Sequence, residues 1–321
     1  MRNDFENAIR RKEKISLAAE VLLSNADEIA DSLAFGVGGE DGFLKESVLQ
    51  SEDFLKAYTE AKNSLLFGSS LPESTPEETS GFLSSFREKS NCFITVYLLS
   101  AFCRKRADAG EGLALSRFLD GEGEPENSKI AYMRNAFSDT AYGVFSKWIK
   151  DASVTYPSSF AAVCEEVYYG RAGYCMLPYE SSEEGVFSGF RRLISKYELK
   201  PVLTCSVTTD FSVQSTTRFV LLSKSAMRIA VRSGRRTCEY LKINVGGPQN
   251  DVLERVLFAA SLNGLSCVKT ESIPLPWDEG SYSSDITLSL DGADPVPFLL
   301  YLRLEVPECE IEGVYTDIGG D

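Results

Sequence analysis

Residues 173–185, GYCMLPYESSEEG, constrain the fold more than any other stretch of the chain. The apolar run Tyr174-Cys175-Met176-Leu177 predicts a short buried strand, which Pro178 is expected to stop. A polar turn follows with Glu180, Ser181, Ser182, Glu183 and Glu184. Gly185 then leads into the helical spacing of Val186, Phe187, Phe190, Leu193 and Ile194. A strand that ends in a polar turn and enters a helix is where α/β proteins hold ligands, because turn side chains and helix N-terminal N–H groups converge there. An ordinary strand-to-helix loop has the same pattern, so the stretch sets the architecture before it sets any chemistry.

The flanking sequence repeats this alternation. Strand 130–133 precedes a helix over 139–149. Strand 154–156 precedes a helix begun by Ser158 or Ser159. Strands at 202–207 and 218–222 follow, which reads as βαβ logic and a mainly parallel, three-layer lobe over 128–223. From Tyr240 the order becomes strand, helix, strand, strand, helix, strand, the ferredoxin-like βαββαβ order, over 238–315. Its second helix carries Asp294 as cap and Pro295 at the first position. Residues 316–321 are a tail. Between the two regions, 224–237 form a basic connector with Lys224, Arg228, Arg232, Arg235 and Arg236.

Residues 1–120 read as a helical domain. Asn3 and Glu6 suit a capping box, and the glycine-rich 35–43 suits a helix end and turn. A second helix near Ser51 carries Phe54, Leu55, Tyr58, Leu65 and Leu66. A third opens at Thr75, Pro76 and Glu78, and it or a successor runs through 92–99, a segment expected to be buried on nearly every side. Residues 121–127 form a linker by composition. The expected class is thus α/β and α+β: a helical N-terminal domain, a single parallel-rich α/β lobe and a C-terminal ferredoxin-like βαββαβ domain.

Composition narrows the chemistry. The formal net charge is −14, which disfavours nucleic acid and acidic membranes as partners. The N-terminus lacks an apolar leader and no run of ~18 apolar residues occurs, so a cytoplasmic protein is expected. Eight scattered cysteines without a Cys-x-x-Cys read as reduced thiols, with no metal and no cofactor expected. Histidine is absent, which removes imidazole acid–base catalysis and Ser-His-Asp chemistry.

Five segments in register resemble the prephenate dehydratase family over roughly 128–315. Residues 178–185 resemble its Pro-Ile-Glu-Asn-Ser-x-x-Gly signature. Residues 129–133 with 137–141 resemble its opening strand and Tyr-Ser-x-x-Ala helix start. Residues 160–173 resemble the stretch leading into the signature strand. Thr217-Arg218-Phe219 matches its Thr-Arg-Phe motif, and residues 269–274 resemble the Glu-Ser-Arg-Pro element of its regulatory ACT domain. The resemblance implies a lobe of periplasmic-binding-protein type that converts prephenate to phenylpyruvate, carbon dioxide and water. Thr217 would protonate the leaving hydroxyl and Arg218 would hold a carboxylate, with Glu180, Ser181 and Ser182 lining the same pocket. In the ACT-like domain it implies an amino-acid site at Asp251, Leu253, Glu271 and Ser272. In bifunctional relatives a helical chorismate mutase precedes the dehydratase. Arg10, Arg11 and Lys12 suit a dicarboxylate, although a solvated basic face is the better reading.

The departures matter as much. Ser182 and Thr217 are 35 positions apart, which leaves no room for the family's second lobe. Ser181 replaces the signature asparagine, and Arg134-Asn135-Ala136 shortens the family's glycine-rich turn. Asp251 stands where the family has a glycine, and it would repel a ligand carboxylate. The expectation is a degenerate relative of phenylalanine metabolism, non-catalytic or weakly catalytic. It would act as a binding or regulatory protein for a prephenate-like ligand or aromatic amino acid, as a homo-oligomer. The alternatives are a working lyase completed by the N-terminal domain or another subunit, and a structural or assembly protein.

Overall fold

The structure, a computed structural model, describes residues 26–31, 33, 52–68, 80–119, 125–208, 215–226, 237–246, 250–274 and 282–319. In chain order its elements are α1 (Glu52–Gly68), α2 (Ser80–Asp108), β1 (Lys129–Ala131), α3 (Ala136–Phe145), β2 (Ser153–Thr155), α4 (Phe160–Tyr168), β3 (Tyr174–Ser181), β4 (Gly185–Val186), α5 (Ser188–Lys196), β5 (Lys200–Thr208), β6 (Thr216–Ser223), β7 (Cys238–Val245), α6 (Asn250–Leu262), β8 (Ser266–Pro274), β9 (Tyr282–Ser289), α7 (Val296–Glu305) and β10 (Cys309–Asp317). The cap at Asn3, the break at 35–43, the start at Thr75, residues 121–124 of the linker and Arg228, Arg232, Arg235 and Arg236 of the connector lie outside the described residues.

Two compact units divide the chain. One comprises Met1–Arg117, Asn250–Asn263 and Asp294–Pro307; the other comprises Phe118–Gln249, Gly264–Ala293 and Glu308–Asp321. The helical unit therefore takes α6 and α7, the two helices of the βαββαβ segment, together with α1 and α2. Within it α2 packs against α1, α6 and α7. Cys92, Thr95, Val96, Leu98, Leu99 and Phe102 of α2 are buried, but Phe93 is 43% exposed. The segment expected to be covered all round thus keeps an open side, because its packed neighbours take up only the rest of the helix surface.

The second unit is built on one sheet of order β2-β1-β3-β6-β5-β10-β7-β9-β8, with β4 added to β3. β1 runs parallel to β2 and β3, and β5 runs parallel to β10. The remaining pairs are antiparallel. The parallel run expected from βαβ logic stops at β3. β5 and β6 are joined through residues 209–215, too short a link for a crossover, so they form an antiparallel pair. Strands β7 to β10 lie in the order β10-β7-β9-β8, the ferredoxin-like arrangement. The fold class is mixed α/β and α+β.

Local chemistry accounts for the element ends. Asn135 caps α3 by accepting from Ser138 N, and Ser138 Oγ accepts from Asn135 N, so the helix starts three residues before Asp139. Ser159 caps α4 by accepting from Ala162 N. β3 runs on through Pro178 instead of stopping there. Its pairing with β1 ends at Cys175 and that with β4 begins at Glu180, so at Pro178 the strand has a neighbour on one side only. Ile130, Tyr132, Met176, Leu203, Phe219 and Leu221 pack with Ala141, Val144 and Phe145 of α3 on one face. Cys175, Leu177, Val220 and Leu222 pack with Val163, Cys164 and Val167 of α4 on the other, and Phe190 of α5 joins them. Among the described residues no helix is long and apolar enough to cross a membrane.

Candidate functional site

β3 and β6 bring the residues of the two motifs side by side. Glu180 lies opposite Arg218 and Ser181 opposite Thr217. On the other flank of β6, Ser206 lies opposite Arg218 and Val207 opposite Thr217. Residues directly opposite in a ladder share a face, and consecutive residues alternate. Ser181, Thr217 and Val207 therefore share the face of Phe219 and Leu221, which packs on α3. Glu180, Arg218 and Ser206 lie on the opposite face. The five residues expected to line one pocket are split across the sheet.

The hydroxyls are also engaged locally. Gly185, at φ 71°, turns the chain back into β4, so the strand enters a short hairpin before α5 begins at Ser188. Ser181 Oγ accepts from Glu184 N at 2.9 Å and Glu183 N at 3.3 Å. Ser182 Oγ accepts from Thr216 N at 3.0 Å. The turn thus spends its amides on its own side chains rather than presenting them to a ligand. Thr217 is half-buried, and among the described residues its hydroxyl has no hydrogen-bond partner.

The opposite face carries an ionic chain that the motifs do not announce. Arg218 meets Asp317 of β10 at 2.9 Å and Glu180 at 3.9 Å. Glu180 meets Lys269 of β8 at 3.1 Å, and Lys269 meets Glu271 at 3.5 Å. Glu271 lies 3.7 Å from Arg191 of α5, which pairs with Asp285 of β9. Asp285 also meets Lys242 of β7 at 2.9 Å, and Lys242 meets Glu312 of β10 at 2.5 Å. Asn244 donates to Asp285 as well. In a flat sheet the six strand steps from β3 to β8 would span about 29 Å. The Glu180–Lys269 contact thus requires the sheet to curl until its β8 edge reaches the end of β3.

Burial grades this chain. Asp285 is 3% exposed, whereas the Arg218 side chain is 40% exposed. Burial alone would raise the Asp285 pKa, but Lys242, Asn244 and Arg191 together hold it below the ordinary carboxylate value. Burial would lower Lys242, and Glu312, Tyr179 and Asp285 outweigh it and raise it. Tyr179 and Tyr315 are both pushed above the ordinary phenol value, chiefly by burial. Four cations here meet five carboxylates, which leaves one carboxylate in surplus. Arg218 already meets Asp317 and Glu180, and Thr217 lies on the opposite face of β6.

Strand alternation could have located this chain in the sequence. In β7, Tyr240, Lys242 and Asn244 alternate with Leu241, Ile243 and Val245; in β9, Ser283, Asp285 and Thr287 alternate with Ser284, Ile286 and Leu288. That pattern reads as a solvated polar face, and only the curl reveals that it is enclosed. Of the ACT-like set, Glu271 belongs to the ionic chain and Ser272 is exposed on β8 opposite Ser284. Leu253 is half-buried on α6; the side chain of Asp251 lies outside the described residues.

No protein-family model matches the chain, and no curated protein matches it. Similar solved structures include a prephenate dehydratase from Streptococcus mutans, 20% identical over 60% of this chain and 99% of that one, with a TM-score of 0.49. GqqA, described as a novel type of quorum-quenching acylase, is 20% identical over 59% of this chain and 95% of that one, with a TM-score of 0.43. A prephenate dehydratase from Arthrobacter aurescens in complex with L-Phe is 14% identical over 58% and 89%, with a TM-score of 0.42.

Proposed function

We propose that this chain is a prephenate-dehydratase-like protein that binds or regulates rather than converting prephenate. The observation that carries the reading is the split of Thr217 and Arg218 between opposite faces of β6. Dehydration and decarboxylation of one small molecule need the proton donor and the carboxylate partner within reach of that same molecule. Here the donor faces the α3 core, and the cation is already held by Asp317 and Glu180. In this reading residues 128–223 are the shortened lobe and residues 238–315 an ACT-like module. Strand β8, paired on one side only among the described residues and bearing exposed Val268, is an edge through which copies would associate.

The ACT-like module then binds an amino acid weakly. The carboxylate that would receive a ligand ammonium, Glu271, already faces Lys269 and Arg191. The test is a prephenate-turnover assay at neutral pH, with calorimetry against phenylalanine. Slow or absent turnover and weak phenylalanine binding are expected. Robust turnover that Thr217→Val abolishes would sink the non-catalytic reading.

A further inference from the structure

The helical unit contains a second polar cluster, built from four helices. Tyr58 and Lys62 come from α1, Cys92 from α2, Arg255 from α6, and Tyr301 and Glu305 from α7. Tyr58 OH donates to Glu305 Oε1 at 2.6 Å, and Lys62 Nζ donates to both Glu305 oxygens at 2.7 and 2.6 Å. Tyr301 OH lies 3.4 Å from Cys92 Sγ. Tyr58, Cys92 and Tyr301 are buried. Three hydrogen bonds from two groups thus satisfy Glu305, and Lys62 has its counter-ion.

Arg255 does not. Among the described residues it has no carboxylate partner. Its Nη2 makes one long bond, 3.4 Å, to the carbonyl of Glu305, and its Nε is buried with no hydrogen-bond partner. The half charge at the end of α7 offsets part of the guanidinium charge and gives it an ordinary helix-capping role. It leaves the buried Nε–H without an acceptor, and a half-buried cation with no anion beside it among the described residues carries a desolvation cost. Aromatic side chains border the cluster at Tyr58. Phe54 stacks on Tyr58 and contacts Phe102, and all three are buried.

We propose that Arg255, with Tyr301 and the Lys62–Glu305 pair beside it, is a binding site in the helical unit for a small apolar monocarboxylate. A carboxylate matches the guanidinium fork with two parallel hydrogen bonds. One negative charge suffices, since Lys62 is already neutralised by Glu305. The site binds without reacting, because burial keeps the Cys92 thiol above its ordinary pKa and hence protonated. Arg255, Tyr301 and Glu305 fall within residues 238–315, but the assignment uses none of the residues on which the proposed function rests, Glu180, Thr217, Arg218, Glu271 and Asp317.

The test titrates the full chain with benzoate by calorimetry. Benzamide, which keeps the ring without the charge, and inorganic phosphate serve as comparators. Benzoate should bind with a Kd of roughly 1 mM or tighter, and benzamide and phosphate at least about tenfold more weakly. Arg255→Gln should weaken benzoate about tenfold or more, while Arg192→Gln, an exposed arginine on α5, should leave it unchanged. If Arg255→Gln does not fold, NMR gives the answer on the unmodified protein: the arginine Nε–H signal missing from Arg255→Lys must shift on adding benzoate. Equal binding of benzoate and benzamide, tighter binding of phosphate, unchanged affinity in Arg255→Gln, or an unmoved Nε–H signal would each overturn the assignment.

Discussion

The molecule handles buried charge in two ways. In the sheet unit every cation of the ionic chain has a carboxylate within 4 Å, from Arg218 through Lys269 and Arg191 to Lys242. In the helical unit Lys62 is paired and Arg255 is not, among the described residues. Both clusters sit where strands or helices converge, so burial alone does not separate them. Pairing does. A closed network with a surplus carboxylate braces the curl that brings β8 to β3 and leaves nothing for a ligand to satisfy. A half-buried guanidinium with no carboxylate partner among the described residues leaves a shortfall of one negative charge.

The largest effect should come from the buried centre of the paired network. Asp285 neutralises Arg191 and Lys242 and accepts from Asn244. Asp285→Ala leaves Arg191 with only Glu271 at 3.7 Å, Lys242 with only Glu312 and Asn244 without its carboxylate acceptor, and we expect a loss of about 3 kcal/mol in denaturant unfolding. A loss near zero would mean that the network does not brace the sheet, and the contrast between the two clusters would collapse.

The same residue sets an acid limit. Its folded pKa lies below the ordinary value of about 3.9, so the stability it supplies is complete above that pH and fades as the pH falls through the folded value. The gap in stability between the unmodified protein and Asp285→Asn should hold constant from about pH 5 to 7 and narrow only below about pH 4. Lys242 works on the opposite side. Its raised pKa keeps its contribution intact until the pH climbs beyond the ordinary lysine value of about 10.4. A gap that narrows between pH 5 and 7 would place another titrating group in control.

Arg255→Met sharpens the comparison because the expected sign differs. Removing an unpaired half-buried cation and keeping its length should leave stability unchanged or raise it by up to about 1 kcal/mol. A loss as large as that of Asp285→Ala would show that Arg255 has a counter-charge after all.

Much of the fold was legible because it rests on local signals. The βαββαβ order, the Ser159 cap and the strand leading into residues 180–185 follow from periodicity and capping chemistry over a few residues. What the sequence hid is nonlocal. The return of β10 to pair with β5 at Thr316–Leu203 and Asp317–Thr204 joins the two strand regions into one sheet, and no short window records it. Side-chain direction was hidden as well. Thr217 and Arg218 are neighbours in a motif, yet the pleat sends them to opposite faces, and the register with β3 and β5 decides which face each takes. Arg255 carried no signal, because an arginine on an amphipathic helix reads as solvated until its neighbours are known.

The smallest effect tests the exposed end of the ionic chain. Arg218 and Asp317 meet at 2.9 Å, a shorter contact than several nearer the centre. Distance alone would rank this pair among the strongest. Solvent argues otherwise: the Arg218 side chain is 40% exposed, so water and salt screen the attraction and also solvate either partner when the other is removed. Glu180 offers little further support at 3.9 Å, and it keeps Lys269 when Arg218 is gone. Arg218→Gln should therefore cost less than about 1 kcal/mol, and the cost should shrink further in 1 M salt. The Asp285→Ala loss should barely respond to the same salt, since its ions are shielded from solvent. A large, salt-insensitive loss in Arg218→Gln would mean that the network acts as one unit from end to end, and that its strength comes from continuity rather than from burial.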